Sequence, residues 1–295
     1  MPSALPTLSV IIPVHNVEKF LPKCLDSILA QKGVNIDVVL VDNNSTDDSL
    51  KLCAKYASKF SSRYPVKIHT TSEVIQGPSA ARNTGLDYAR RLKNDYTTFV
   101  DSDDYIGYID NSDKVDANYY KKIIDAMKTA KVDAGRVDGV CMRGKFQRSP
   151  SKNPRVSTYG SDWDPYKEYY WGPVWSYVFK SKLVYDNDIR FNEDLFYGED
   201  LLFNAHLLPA AKKVVNVPQV MYFYRDNADS LVATKAALRQ ERSNKSHDIS
   251  HKEMNKLIRR LRAGEWPPKP KPNFLFGIIN LLKPKSCLPV RRRQR

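Results

Sequence analysis

The sequence predicts an α/β fold with a mostly parallel sheet and flanking helices. Two observations carry this. Short β-rich runs alternate with helical periodicities through the first hundred residues, which implies right-handed crossovers between parallel strands. An acidic cluster, Asp101-Ser102-Asp103-Asp104, sits where an apolar run ends, and open α/β sheets bind ligands at the carboxyl ends of their strands. Leu8–Ile12 reads as the first strand, ended by Pro13. From Val17 to Lys32, Phe20, Leu21, Cys24, Leu25, Ile28 and Leu29 recur at helical spacing, and Gly33 closes that helix. Ile36–Val41 is the second strand, ending at Asp42, and a turn over 43–48 leads into a helix bearing Leu52, Tyr56 and Phe60. Val66–His69 is a short third strand. Gly77-Pro78-Ser79 opens a helix over Ala80–Leu92, and Thr97–Val100 is the fourth strand.

Beyond Asp104 the alternation weakens. A helix is predicted over Ala117–Thr129, with Tyr120, Ile123, Ile124 and Met127 on one face. Residues 143–165, rich in Pro, Ser, Lys and Gly, read as one long loop. Tyr166–Phe179 is dense in aromatics, a helix begins near Gly198-Glu199-Asp200, and Val214–Tyr224 reads as a last strand region. A polar, basic helical segment follows Ser230, then a Pro-rich stretch from Pro267. The expected organisation is therefore 1–110, 111–232 and a basic tail, 233–295.

The charge is unevenly placed. The net charge is +14, yet residues 1–234 hold 30 Lys+Arg and 29 Asp+Glu, whereas residues 235–295 hold 17 and 4. A nearly neutral body without aromatic-basic interleaving argues against nucleic-acid binding, which the tail alone would suggest. Cys24, Cys53, Cys141 and Cys287 show no metal-ligand spacing, and two fall on apolar helix faces, as expected of reduced thiols used as small hydrophobes. The sequence shows no signal peptide and no apolar run approaching the roughly 18 residues of a membrane span. It has no Gly-x-Gly-x-x-Gly and no phosphate loop. Nothing in it specifies an oligomeric state.

Three carboxylates within four positions repel one another, and a hard divalent cation is their natural partner. A solvated acidic turn is the alternative, and the motif alone would favour it. The surrounding motifs reverse that preference. Leu8–Asn16, with Pro13 and His15; Val41–Asp47, with Asp42 and Asn43; Gly77–Gly85, with Arg82-Asn83; and Phe99–Asp104 follow one another in a fixed order. In that order they resemble the family 2 inverting glycosyltransferases of the GT-A fold, a Rossmann-like architecture, and especially the bacterial surface-polysaccharide enzymes. The resemblance is close over 7–110. It is looser over 165–232, through the aromatic segment, Gly198-Glu199-Asp200 and Tyr224-Arg225.

The resemblance implies a nucleotide-sugar donor, UDP-linked, and a saccharide or lipid-linked saccharide acceptor. It implies that Asp101 holds the ribose or the metal shell and that Asp103 ligates a divalent cation, Mn²⁺ or Mg²⁺, with Asp104 behind them. Pro13, His15 and Asp42 would line the base pocket, and Arg82 would lie near the diphosphate or brace the Asp loop. Many relatives carry Asp at the position of Asn43 and use it to read a uracil imide, which an Asn amide oxygen can also meet. Asp200 is implied as the catalytic base, with Glu199 as second choice; a helix N-terminal acid pair favoured by the dipole is the structural alternative.

Other residues stay open between two roles. His15 could be a helix-cap or core histidine. Trp171 and Trp175 could stack on an acceptor sugar or fill the core. Arg225 could clamp phosphate or form a surface ion pair. The segment Asn273–Lys283 is apolar, and as a helix would be about 16 Å long against a hydrocarbon core of roughly 30 Å. With eight basic residues from Lys269 onward it reads as an in-plane anchor on anionic lipid, at roughly 1 kcal/mol per residue near such a surface. A cytoplasmic protein held on the inner face of the membrane is the expectation. A catalytically idle sugar-binding scaffold and a nucleotidyltransferase are the remaining alternatives. The first is disfavoured by intact Asp103 and Asp200. The second is disfavoured by the missing Gly-rich loop.

Overall fold

β1 (Thr7–Val14) and β2 (Asn35–Asp42) pair in parallel along their whole length, and Val10, Ile12, Val38 and Leu40 are fully buried. These strands are apolar on both faces because helices cover both. The structure, a computed structural model, describes residues 4–60, 66–107, 116–142, 145–148, 153–160, 163, 172–195, 198–227 and 236–265. β3 (Val66–Ser72) extends the sheet on one side of β2, and β4 (Tyr96–Phe99) on the far side of β1. The joining helices are α1 (Leu21–Leu29), α2 (Ser49–Phe60) and α3 (Pro78–Leu92). Pro13 lies inside β1 rather than ending it. The register with β4 stops at Ile11↔Phe99, so no partner waits for the donor that Pro13 lacks. α1 starts later than Val17 because Pro22 fits the first helical turn; residues 17–20 form a hydrogen-bonded turn instead.

The second half continues the same sheet. After β5 (Tyr105–Ile106) come α4 (Tyr119–Ala130), β6 (Ala134–Val137), β7 (Gly139–Met142), β8 (Lys145–Arg148) and β9 (Arg155–Thr158). β10 (Tyr177–Lys180), α5 (Ser181–Asp186), α6 (Glu199–Ala211), β11 (Lys213–Val217), β12 (Tyr222–Tyr224) and α7 (Ala236–Arg262) complete the order. The main sheet runs β3-β2-β1-β4-β10-β6-β11-β9, and a small second sheet runs β5-β12-β7-β8. Only β10 and β9 oppose the other six strands of the main sheet. The fold is the mixed α/β, mostly parallel architecture that the alternation predicts. Two strands, β8 and β9, lie within the stretch expected to be one loop. Each pairs on a single side, so neither needs the apolar alternation that marks a buried strand.

α1, α2 and α4 cover one face of the sheet, and α3, α5, α6 and α7 the other. Cys24 and Cys53 are buried on helix faces and Cys141 beneath the small sheet, all as free thiols; Cys287 lies outside the described residues. Gly85 lets α3 approach β1 closely: a Cβ there would lie 2.2 Å from Ile11 Cγ2, an impossible contact without a shift of the helix. The boundary expected near residue 110 lies outside the described residues, as does the tail from 266. Among the described residues no helix is long and apolar enough to cross a membrane.

Candidate active site

Parallel strands place their carboxyl ends at one edge, and there the predicted residues meet. The loops after β1 and β2 are stitched together. Asn16, in left-handed backbone at φ 51°, accepts from Thr46 N–H at 2.7 Å, and Asp47 accepts from both Glu18 N–H at 3.0 Å and Ser49 N–H at 2.9 Å. His15 is exposed beside Pro13, with Nδ1 2.7 Å from the Asn43 carbonyl oxygen, so it lines this loop and is neither a core residue nor a helix cap.

Asn43 departs from the role expected of it. Its amide oxygen accepts from Gly77 N–H at 2.8 Å, and its amide nitrogen donates to the carbonyls of Glu73 at 2.9 Å and Ile75 at 2.8 Å. These bonds turn the amide toward the segment before α3 and make it a loop brace. The neighbouring Asp42 keeps an open acceptor: Oδ1 is buried with no hydrogen-bond partner. A buried carboxylate oxygen without a donor is costly, and a ligand N–H would satisfy it.

The Asp loop divides its three carboxylates. Asp101 keeps part of its side chain exposed, and Oδ1 accepts from Arg82 Nη2 at 3.0 Å. Asp103 accepts from Asn227 Nδ2 at 3.0 Å; burial and the Asp101 charge push its pKa up. Asp104 is fully buried and faces inward. It accepts from Tyr222 Oη and from Arg225 N–H, each at 2.9 Å, and burial with the Asp101 and Asp103 charges pushes it up to about 8. Asp104 thus anchors the loop from beneath.

Trp175 and Arg225 support this loop. The Trp175 ring stacks on Tyr222 at 3.7 Å between centroids and is buried in the core, so core packing is the geometry of its two candidate roles; Trp171 lies outside the described residues. Tyr222 also accepts from Asp101 N–H at 3.2 Å. Arg225 donates from Nε to the Asp103 carbonyl and from Nη2 to the Phe20 carbonyl at 2.8 Å, with its guanidinium over the Phe20 and Tyr105 rings. It fastens the loop backbone and forms no ion pair among the described residues.

The acid pair opens α6. Gly198, at φ 75°, supplies the left-handed residue before the helix, and Glu199 and Asp200 fill the first turn. Both point at Arg82, which the first turns of α3 deliver to the same place. Arg82 Nη1 lies 3.0 Å from Glu199 Oε1 and 2.9 Å from Asp200 Oδ1. One buried guanidinium therefore joins the Asp loop to the acid pair. Asp200 Oδ2 accepts from Val174 N–H at 3.1 Å. Burial and the Asp200 charge push Glu199 up to about 7; burial also raises Asp200, against the pull of Arg82. Tyr222 and Asn227, which hold the Asp loop, carry no sequence signal beyond their place near Tyr224-Arg225.

A family model described as "Glycosyl transferase family 2" matches residues 9–170. Glycosyltransferase GlyA of Streptococcus pneumoniae is 42% identical over 118 residues, which is 40% of this chain and 15% of that protein. Minor teichoic acid biosynthesis protein GgaA of Bacillus subtilis is 27% identical over 76% of this chain and 48% of its own. The chain thus spans less than half the length of either relative. The crystal structure of S. aureus TarS 1–349 in complex with UDP-GlcNAc superposes with a TM-score of 0.64 at 21% identity, over 88% of this chain and 71% of that one, a likeness of fold. With the family match spanning more than half of its residues on a GT-A architecture, this chain belongs to glycosyl transferase family 2.

Proposed function

We propose that the protein transfers a sugar from a nucleotide sugar, UDP-linked, to a hydroxyl of a saccharide or lipid-linked saccharide acceptor, with inversion, in surface polysaccharide or lipooligosaccharide synthesis. The observation that carries this reading is the bridge through Arg82, which sets the acid pair beside the Asp loop. A relative named for teichoic acid biosynthesis and a fold neighbour holding UDP-GlcNAc support the acceptor class and the donor class. Asp42, His15 and Pro13 would receive the base, with the open Asp42 oxygen taking an imide N–H.

The residues fit a shared divalent cation. Asp101 and Asp103 offer hard oxygen donors whose mutual repulsion a cation would relieve. Among the described residues no cluster of three or more His, Cys, Asp or Glu forms a self-sufficient cage, which suits an ion completed by phosphate oxygens. Mn²⁺ or Mg²⁺ held there would neutralise charge on the leaving diphosphate. Asp200 accepts the proton of the attacking hydroxyl as the new bond to the anomeric carbon forms. The sugar–phosphate bond breaks on the opposite face, which inverts the centre. Arg82 keeps Asp200 oriented, and Val174 N–H fixes its second oxygen.

Nucleotide release with a panel of nucleotide sugars tests the activity; a protein that turns over none of them, with or without acceptor, is not this enzyme. Asp103→Asn is expected to weaken UDP affinity at least tenfold in Mn²⁺ and to have little effect in chelator. Equal affinities in all four conditions would exclude Asp103 as the ligand.

The tail is assigned to an anionic membrane surface. α7 supports this, since it packs Met254, Leu257, Ile258 and Leu261 inward and leaves Lys252, Lys256, Arg259 and Arg262 exposed ahead of the basic tail. Deleting residues 267–295 is expected to abolish co-sedimentation with anionic vesicles and to spare turnover of small water-soluble acceptors. Equal binding by the truncated protein would refute the assignment.

A further inference from the structure

Arg136 is a cation with no hydrogen-bond or ion-pair partner among the described residues, on the side of the sheet that carries the acid pair. It lies on β6, which points the same way as β4, since both run antiparallel to β10 and Gly135 and Thr98 share Val178 as partner. A Cβ on Gly135 would meet Ile123 and Met127 of α4, so Arg136 faces the opposite side, that of α6. Its Nε is buried with no hydrogen-bond partner, and its terminal nitrogens make no hydrogen bond or ion pair among the described residues.

Gly172 is where the surrounding groups converge. Arg136 Nη2 lies 3.5 Å, and Ser176 Oγ 3.0 Å, from the position a Cβ on Gly172 would occupy. The Gly172 carbonyl accepts from Asn204 Nδ2 at 2.7 Å, and the Asn204 amide oxygen is buried without a donor. Two residues along, Val174 N–H holds the Asp200 carboxylate at 3.1 Å. Asn204 follows Asp200 by one turn on α6, on the same face. Two residues of chain span at most about 7 Å, so Gly172 and Val174 bring the groups they contact, Arg136 and Asp200, to one short segment.

The nearby carboxylates among the described residues do not pair with Arg136. Asp101, Glu199 and Asp200 all share Arg82, and the second oxygen of Asp200 takes a backbone N–H instead of a guanidinium. Asp138, two residues along the chain, forms no ion pair with Arg136. A guanidinium buried at Nε and unpaired among the described residues carries a desolvation cost that an incoming anion offsets, and its planar fork matches a phosphoryl or carboxylate group.

We propose that Arg136 receives an anionic group of the acceptor, beside the catalytic base, with Ser176 Oγ as a second donor and the Asn204 amide oxygen taking an acceptor hydroxyl. This rests on the transferase reading and names its acceptor as negatively charged. The test uses the full chain, as parent, Arg136→Gln and Arg136→Lys, titrated by calorimetry with glycerol 3-phosphate, glucuronate, glycerol and, separately, UDP. Glycerol 3-phosphate or glucuronate is expected to bind the parent at least tenfold more tightly than Arg136→Gln, with partial recovery in Arg136→Lys. Glycerol is expected not to bind. The tighter of the two anions identifies the group as phosphoryl or carboxylate. UDP affinity is expected to be equal in all three proteins, and UDP not to displace the anion. No anion binding by the parent, equal binding by Arg136→Gln, or displacement by UDP would overturn the proposal. A parent that binds the anion through Arg136 but does not bind UDP would uphold the site and remove the donor reading instead.

Discussion

Asp200→Asn is expected to lower kcat about 10²–10⁴-fold and to leave nucleotide-sugar affinity unchanged, because the amide cannot accept the acceptor proton. Both oxygens of Asp200 face donors, Arg82 Nη1 and Val174 N–H, so one of them meets an amide NH₂ in the variant. That mismatch is expected to cost about 1–3 kcal/mol of stability, read as a lower urea midpoint. Glu199→Gln is the comparison. It loses one contact with Arg82 and keeps the Asp200 carboxylate, so a loss of at most tenfold is expected. A dead Glu199→Gln beside an active Asp200→Asn would transfer the base role to Glu199.

The pair also sets a pH dependence. Burial and the Asp200 charge raise Glu199 from 4.5 to about 7, so the folded protein holds a proton that the unfolded chain releases. The stability from this group is full below about pH 4.5 and is lost as pH rises through about 7. Transfer is expected to rise with pH, since the proposed base acts only when ionised. Urea midpoints at pH 5 and pH 8, set against kcat at the same values, should move in opposite directions. Midpoints that rise with pH would contradict the burial of the pair.

The motifs at the carboxyl edge of the sheet were legible because each is local. An apolar run into Asp101 and Asp103, Asp42 at the end of β2, Arg82 at a helix start and an acid pair after Gly198 can all be read within a few residues. Their convergence on Arg82 was not legible, since 19 residues separate Arg82 from Asp101 and 118 separate it from Asp200. Asn43 shows how a local reading fails. Its position matches a base-reading carboxylate, but three bonds to residues 73–77 turn it away, and only the path of the chain after β3 reveals them. Tyr222 was hidden among other aromatics, although its hydroxyl both supports Asp101 and pins Asp104. Edge strands β8 and β9 were hidden by a polar composition that a single ladder of hydrogen bonds tolerates.

Arg82→Met is expected to destabilise the protein by about 3–5 kcal/mol, the range for breaking a buried ion pair and leaving its partner charges behind. Arg82 holds three carboxylates at 2.9 to 3.0 Å, and its side chain is 5% exposed. The thioether fills much of the same space, so the loss reports charge more than volume. Glu199 and Asp200 would then face each other and Asp101 with no cation between them. Their pKa values should climb further, and the defect should shrink on acidification toward pH 5 as the carboxyls neutralise. Arg82→Lys should recover only part of the stability. A single ammonium lacks the fork that reaches the Asp loop with one nitrogen and the acid pair with the other. Combining Arg82→Met with Asp200→Asn should destabilise by less than the sum of the two, since each removes part of the same network. Thermal and urea unfolding of the parent and the four variants at pH 5 and pH 8 decides the matter. Additive losses with no pH dependence would mean that Arg82 acts only as packing, and that the Asp loop and Asp200 are positioned independently.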